Sequence, residues 1–167
     1  PETLKINNYK SLNGYPIGGI STGAVLRTSR GEIIFGGETG MYIIDIQKLG
    51  VNAVAPPVVL TDFKLFTESV PIVTGPNALL SKVINQTQRI TLDHTKTMFS
   101  FNFSALNFRS PEKNQYAYKL EGFDESWREV GTERKALYTN INSGNYTFRV
   151  RASNNDGTWN NEGKAIT

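Results

Sequence analysis

Apolar residues recur at every second position along most of this chain, and polar or turn-forming residues interrupt them at short intervals. That period belongs to strands with one buried face. The clearest case is Met98 to Leu106, where Phe99, Phe101 and Phe103 alternate with Ser100, Asn102 and Ser104. Tyr116-Ala117-Tyr118-Lys119-Leu120 repeats the pattern. From Tyr146 to Ala152, Tyr146, Phe148, Val150 and Ala152 turn one way while Thr147, Arg149 and Arg151 turn the other. Further strands are predicted over Val58 to Phe66, Gln88 to Leu92 and Ala136 to Asn140. Earlier in the chain, three β-rich runs (Val25 to Thr28, Glu32 to Phe35, Met41 to Asp45) are separated by Ser29-Arg30-Gly31 and by the GGETG run at 36–40. Glycine turns between short strands predict an antiparallel meander. The best helical stretch, Asn77 to Ile84, is short.

Composition shifts between Gly50 and Pro57. The proline pair Pro56-Pro57 lacks backbone donors and holds an extended form, which suits a stiff connector or the start of an edge strand. We therefore expect a boundary there, with residues 1–55 as one piece and 56–167 as another. The later piece carries roughly seven strands with short polar turns, the signature of a sandwich.

The 167 residues leave room for one ordinary domain, or a small one plus a fragment of another. A chain without cysteine has no disulfide, no thiol nucleophile and no thiolate metal site. The net charge of +3 is small and its basic residues are scattered, unlike the clustered basic face of a nucleic-acid binder. No run of about 18 apolar residues occurs, the length a membrane-spanning helix needs. The start, Pro1-Glu2-Thr3, reads as an excised piece of something longer.

Candidate chemistry is sparse. His94, the sole histidine, falls in the polar turn Asp93-His94-Thr95-Lys96 and reads as a solvated residue. Glu121 and Asp124 could be imagined as an acid–base pair for glycoside hydrolysis, but they flank a Gly-Phe turn and are expected to be exposed. Asn154 to Gly157 offers calcium-type oxygens, yet Asn, Asp and Gly more commonly build a turn. GGETG lacks the Lys-Ser/Thr of a phosphate loop. Trp127 and Trp159 could stack on a sugar ring, although buried tryptophans at sandwich ends are commoner. No catalytic, cofactor or metal site is expected, and no turnover.

Two stretches carry a resemblance. Ile141-Asn142-Ser143-Gly144-Asn145-Tyr146 resembles the corner of fibronectin-III and immunoglobulin-like sandwiches, where a tyrosine hydroxyl bonds back to the preceding loop. The longer run from Asn114 through Tyr118, Gly122-Phe123-Asp124, Trp127, Tyr138 and Gly144-Asn145-Tyr146 is similar to the three-tyrosine (Y_Y_Y) domain. Tyr118, Tyr138 and Tyr146 map onto its naming tyrosines, and Gly122, Trp127, Gly144 and Trp159 complete the structural signature. Gly31-Glu32-Ile33-Ile34-Phe35-Gly36-Gly37 resembles the signature strand of a two-component-regulator β-propeller repeat. The resemblance implies an all-β chain: an immunoglobulin/fibronectin-III-like antiparallel sandwich preceded by a partial propeller blade, with the last strand open to truncation at Thr167.

The same resemblance implies a periplasmic relay in a bacterial transmembrane receptor. It would couple a propeller that senses a carbohydrate or other small ligand to a histidine kinase (often hybrid) or diguanylate cyclase. Contact with the membrane would come only through a C-terminal segment beyond Thr167. A homodimer is expected from the family, and strand-mediated self-association from the apolar faces of an isolated blade, with Ile33, Phe35, Tyr42 and Ile44 as contributors. The rival readings are a stand-alone carbohydrate-binding or adhesion module of fibronectin-III type and the accessory domain of a glycoside hydrolase.

Overall fold

The computed structural model describes residues 11–12, 15–16, 19–45, 52–76 and 78–167. Residues 1–10 and 46–51 of the expected blade lie outside the described residues, as does Asn77 at the head of the expected helical stretch. The chain divides into two units, Pro1–Val51 and Asn52–Thr167.

In the first unit β1 (Ser11–Leu12) pairs with β2 (Tyr15–Pro16), and β3 (Ile20–Arg27), β4 (Glu32–Gly37) and β5 (Gly40–Asp45) form an antiparallel meander in that order. Phe35 is buried and stacks on its cross-strand partner Tyr42 at 5.2 Å. Ile33 and Ile44 are half-buried. The exposed apolar side chains are a different set from the one expected: Ile20, Val25, Leu26, Met41 and Ile43.

The second unit is a two-sheet sandwich. β6 (Val58–Leu65), the short β7 (Glu68–Ser69), β8 (Met98–Ala105) and β11 (Lys135–Thr139) form one sheet in the order β11-β8-β6-β7. β9 (Gln115–Glu121), β10 (Arg128–Gly131), β12 (Thr147–Ser153) and β13 (Trp159–Ile166) form the other, in the order β10-β9-β12-β13. Neighbours in both sheets are antiparallel. Phe101 on β8 stacks on Phe148 on β12 at 4.4 Å, which ties the two sheets together at their centre. Phe103, Tyr116, Tyr118, Leu120, Val150 and Ala152 surround that pair, all buried. Phe99 and Tyr146, expected in the core, are half-buried at its edge. On β6 the register slips between Leu60 and Asp62, so the inward phase passes from Val58 and Leu60 to Phe63. A bulge of this kind shifts the alternation by one residue.

Two expectations need correcting. The stretch Gln88 to Leu92 is not a strand of either sheet. It runs past the end of β13 and exchanges just two backbone bonds with Thr167, Ile90 N–H to its carbonyl at 2.8 Å and Thr167 N–H to Gln88 O at 3.0 Å. Ile90 and Leu92 pack against the core, which satisfies their apolar period without a ladder. Residues 78–84 form no α-helix, and a single 3-10 turn covers Ile84–Gln86.

Candidate functional site

The turn that closes β9 builds a lock between the sheets. Leu120 O accepts from both Phe123 N–H and Asp124 N–H, at 3.0 and 2.8 Å, which folds Asp124 back under the strand end. Its carboxylate is 4% exposed, against the expectation of a solvated residue. The reason is its set of donors. Oδ2 accepts from Leu120 N–H at 2.8 Å and from the Tyr138 hydroxyl at 2.8 Å, and Oδ1 accepts from Arg128 Nε at 2.8 Å and from Nη2. A buried carboxylate is tolerated when its lone pairs are filled in this way. Tyr138 stands on β11, in the opposite sheet from β9, so its bond joins the two layers. Burial, then the bond to Asp124, pushes the Tyr138 phenol above its ordinary range, so it stays a donor. Glu121 has the opposite fate. It sits on the outer face, 2.8 Å from Arg149 and 3.0 Å from Lys119, and these cations hold its carboxyl below the usual range. The imagined acid–base pair is thus one locked structural carboxylate and one surface ion pair.

The tyrosine corner is present. Tyr146 donates its hydroxyl to Asn142 O at 3.0 Å, within the loop expected. Both signature glycines face this ring. At Gly122, with φ +93°, a Cβ would lie 3.1 Å from Tyr146 Cδ1, and at Gly144 it would lie 3.1 Å from Cε2, Cζ and the hydroxyl oxygen. The ring fits because both neighbours lack a side chain. Tyr118 meets Tyr138 edge-on at 6.0 Å, so two of the three tyrosines share the core while the third seals its end.

Trp127 and Trp159 lie on the outer face of the β10-β9-β12-β13 sheet, half-buried. The Arg151 guanidinium covers one face of each indole, at 4.4 and 5.2 Å, and Lys119 approaches Trp127 at 5.3 Å. These cations occupy ring surface that a sugar would need for stacking.

At the other end of the sandwich a polar clamp grips the chain where the second unit begins. Asn154, fully buried, donates from Nδ2 to Asn52 O at 2.6 Å and Val54 O at 2.9 Å. Its Oδ1 accepts from Asp156 N–H and Thr158 N–H, at 2.9 and 3.0 Å. Thr158 adds a bond to Asn52 O at 2.8 Å, Asp156 accepts Asn52 N–H at 2.7 Å, and Asn160 reaches Pro56 O at 3.0 Å. Beneath them Asn107 bridges Asn114 and Asn155, at 2.7 and 3.1 Å. The Asn154–Gly157 segment is therefore a turn whose amide oxygens are already filled by N–H donors, so they are not turned toward a cation. Sequence reading saw the turn here and missed its cargo. The signal was an asparagine two residues before Asp-Gly, a spacing that lets an amide close its own turn.

The remaining candidates take bland positions. His94 is exposed in the Asp93–Lys96 turn, where Lys96 N–H bonds Asp93 O at 3.0 Å. GGETG is the β4–β5 hairpin. Among the described residues no group of three or more His, Asp or Glu side chains could hold a metal ion.

Comparison with known proteins agrees with this architecture. The Y_Y_Y domain family matches residues 107–167. Histidine kinase P4 of Formosa agariphila is 36% identical over 160 residues, covering 96% of this chain and 12% of that protein. The extracellular domain of a proposed one-component system of B. thetaiotaomicron superposes with a TM-score of 0.60 at 25% identity, covering 85% of this chain and 19% of the other. That of a proposed hybrid two-component system of the same organism gives 0.62 at 23%, covering 88% and 19%. The chain thus spans about an eighth of the kinase and a fifth of the solved domains. The lock and the corner both lie within residues 107–167, the stretch that matches the Y_Y_Y domain family.

Proposed function

We propose that this stretch is a relay in the extracytoplasmic, periplasmic part of a transmembrane signalling receptor. Residues 1–55 supply propeller-blade strands, and the sandwich passes conformational change on toward the membrane. The observation that carries this reading is the polar clamp. The backbone of Asn52, Val54 and Pro56 is bonded to the β12–β13 turn and to β13, so displacement of the incoming chain acts on a sheet rather than on a slack linker. A sandwich of this kind has no chemistry of its own, so a signal crosses it as a shift between packed arrangements. The F. agariphila relative's name favours kinase output over a cyclase, and the extracellular neighbours favour the location. The relay operates as a dimer in this reading, to which the exposed apolar side chains of the meander contribute.

The test uses the full receptor and a reporter of its output. Asn154→Ala combined with Thr158→Val should depress ligand-induced output while ligand still binds upstream, and a melt should show the sandwich folded. Unchanged output from the loosened clamp would sink the proposal.

A further inference from the structure

A cavity of about 380 Å³ opens at the corner end of the sandwich, between residues 89–97, the 141–146 loop and the close of β13. Its apolar wall is made by the half-buried Ile90, Leu92, Phe99, Ile141 and Tyr146, with Phe63, Phe101, Phe148 and Ile166 buried behind them. Its mouth is polar: the cations Arg89 and Lys96 stand there beside His94, and Asp93 is the sole acidic side chain among the lining residues. Asp93 is already engaged, accepting from the Thr95 N–H and hydroxyl and lying 3.5 Å from the Lys96 ammonium. Among the described residues Arg89 meets no carboxylate. Its contact is the Asn145 side-chain oxygen at 3.5 Å, the outer limit of a hydrogen bond.

Small-molecule sites have this form, a mostly apolar concavity with a few polar groups fixing one end of the ligand. A guanidinium with donors to spare matches the two oxygens of a carboxylate. A sugar fits poorly, because its hydroxyls would lie unpaired against phenyl rings. We propose that this cavity is a binding site for a small organic monocarboxylate with an aromatic or branched apolar body, the body on the phenyl wall and the carboxylate on Arg89. The site belongs to the sandwich and does not depend on the relay.

Phenylacetate is the probe, titrated into the 167-residue chain and followed by amide shifts in 15N-labelled protein. Saturable shifts are expected among residues 89–97 and 141–146. Phenylacetamide, the neutral analogue, should bind roughly fivefold or more weakly, and Arg89→Gln should weaken phenylacetate by a similar factor, as expected for a lost charge-assisted pair. Arg89 is exposed, so the variant should keep the parent melting midpoint. Lys135→Gln removes a cation that does not line the cavity and should leave affinity unchanged. The proposal is overturned by absence of saturation up to about 10 mM, a range that would still reveal a weak site. It is equally overturned if the amide analogue binds as well as the acid, if Arg89→Gln binds like the parent, or if Lys135→Gln weakens binding as much as Arg89→Gln.

Discussion

Removing the Tyr138 hydroxyl should loosen the contact between the two sheets without disturbing their packing. The ring itself meets Phe99 at 5.7 Å, Tyr118 and Phe123 at 6.0 Å and Phe148 at 6.3 Å, all of which Tyr138→Phe retains. What is lost is one bond of 2.8 Å to a carboxylate that is 4% exposed, where water has little access to replace it. A hydrogen bond to a charged group contributes about 1.5–3 kcal/mol, and this geometry belongs in that range. Asp124→Ala should cost more, about 3–5 kcal/mol, because it strands the Leu120 N–H and the Tyr138 hydroxyl together. The Arg128 side chain, 46% exposed, turns to solvent and adds little to that figure. The two substitutions share one bond, so Tyr138→Phe made on top of Asp124→Ala should add no further loss and recover the part due to the stranded hydroxyl. Urea melts of the four proteins, fitted with a common slope, measure the cycle. If Tyr138→Phe lies within about 0.5 kcal/mol of the parent, the hydroxyl is no lock. Simple additivity would refute the shared bond even if both variants were unstable.

Other outcomes follow from the same geometry. Tyr146→Phe should cost about 0.5–1.5 kcal/mol, since its hydroxyl meets a backbone carbonyl in a loop open to water; an unchanged urea midpoint would count against the corner. Phe101→Ala, which empties the centre of the stacked pair with Phe148, should cost about 3–5 kcal/mol in the same assay. Asn154→Ala should speed hydrogen exchange at the amides of Asp156 and Thr158, which donate to its side-chain oxygen, relative to those of β8, and equal protection in both proteins would remove the clamp. Sedimentation of the full chain and of residues 52–167 separates the routes to self-association: meander-mediated contact disappears with the first unit, and sandwich-mediated contact persists. A monomer in both would end the dimer proposal.

The sandwich was legible because its central strands obey a simple period. Phe99, Phe101 and Phe103 on β8, and Phe148, Val150 and Ala152 on β12, needed only alternation to be placed. β10 escaped because Arg128 to Gly131 carries a single apolar residue, Val130, and pairs at a sheet edge where no buried face is required. The opposite error was made at Gln88 to Leu92. Alternation there reports that Ile90 and Leu92 touch the core, and touching a core does not require a ladder. Period reads burial, and pairing must be inferred from something else.

The polar positions explain why the site was the harder part. Asp124 and Glu121 are both carboxylates near one Gly-Phe turn, and nothing local says which will be buried. The decision is made by Tyr138, fourteen residues later and in the other sheet, whose hydroxyl makes burial of one carboxylate tolerable. Asn154 poses the same problem over a longer span, since the carbonyls that fill its amide belong to Asn52 and Val54 about a hundred residues earlier. A buried polar side chain is defined by its partners, and those partners become visible only when the chain has brought them together. The glycines behave likewise: Gly122 and Gly144 stand twenty-two positions apart, yet both make room for the same tyrosine ring. Much of the signature spacing, Tyr118, Gly122, Tyr138, Gly144 and Tyr146, thus resolves into two physical requirements, a filled carboxylate between the sheets and a sealed corner at their end.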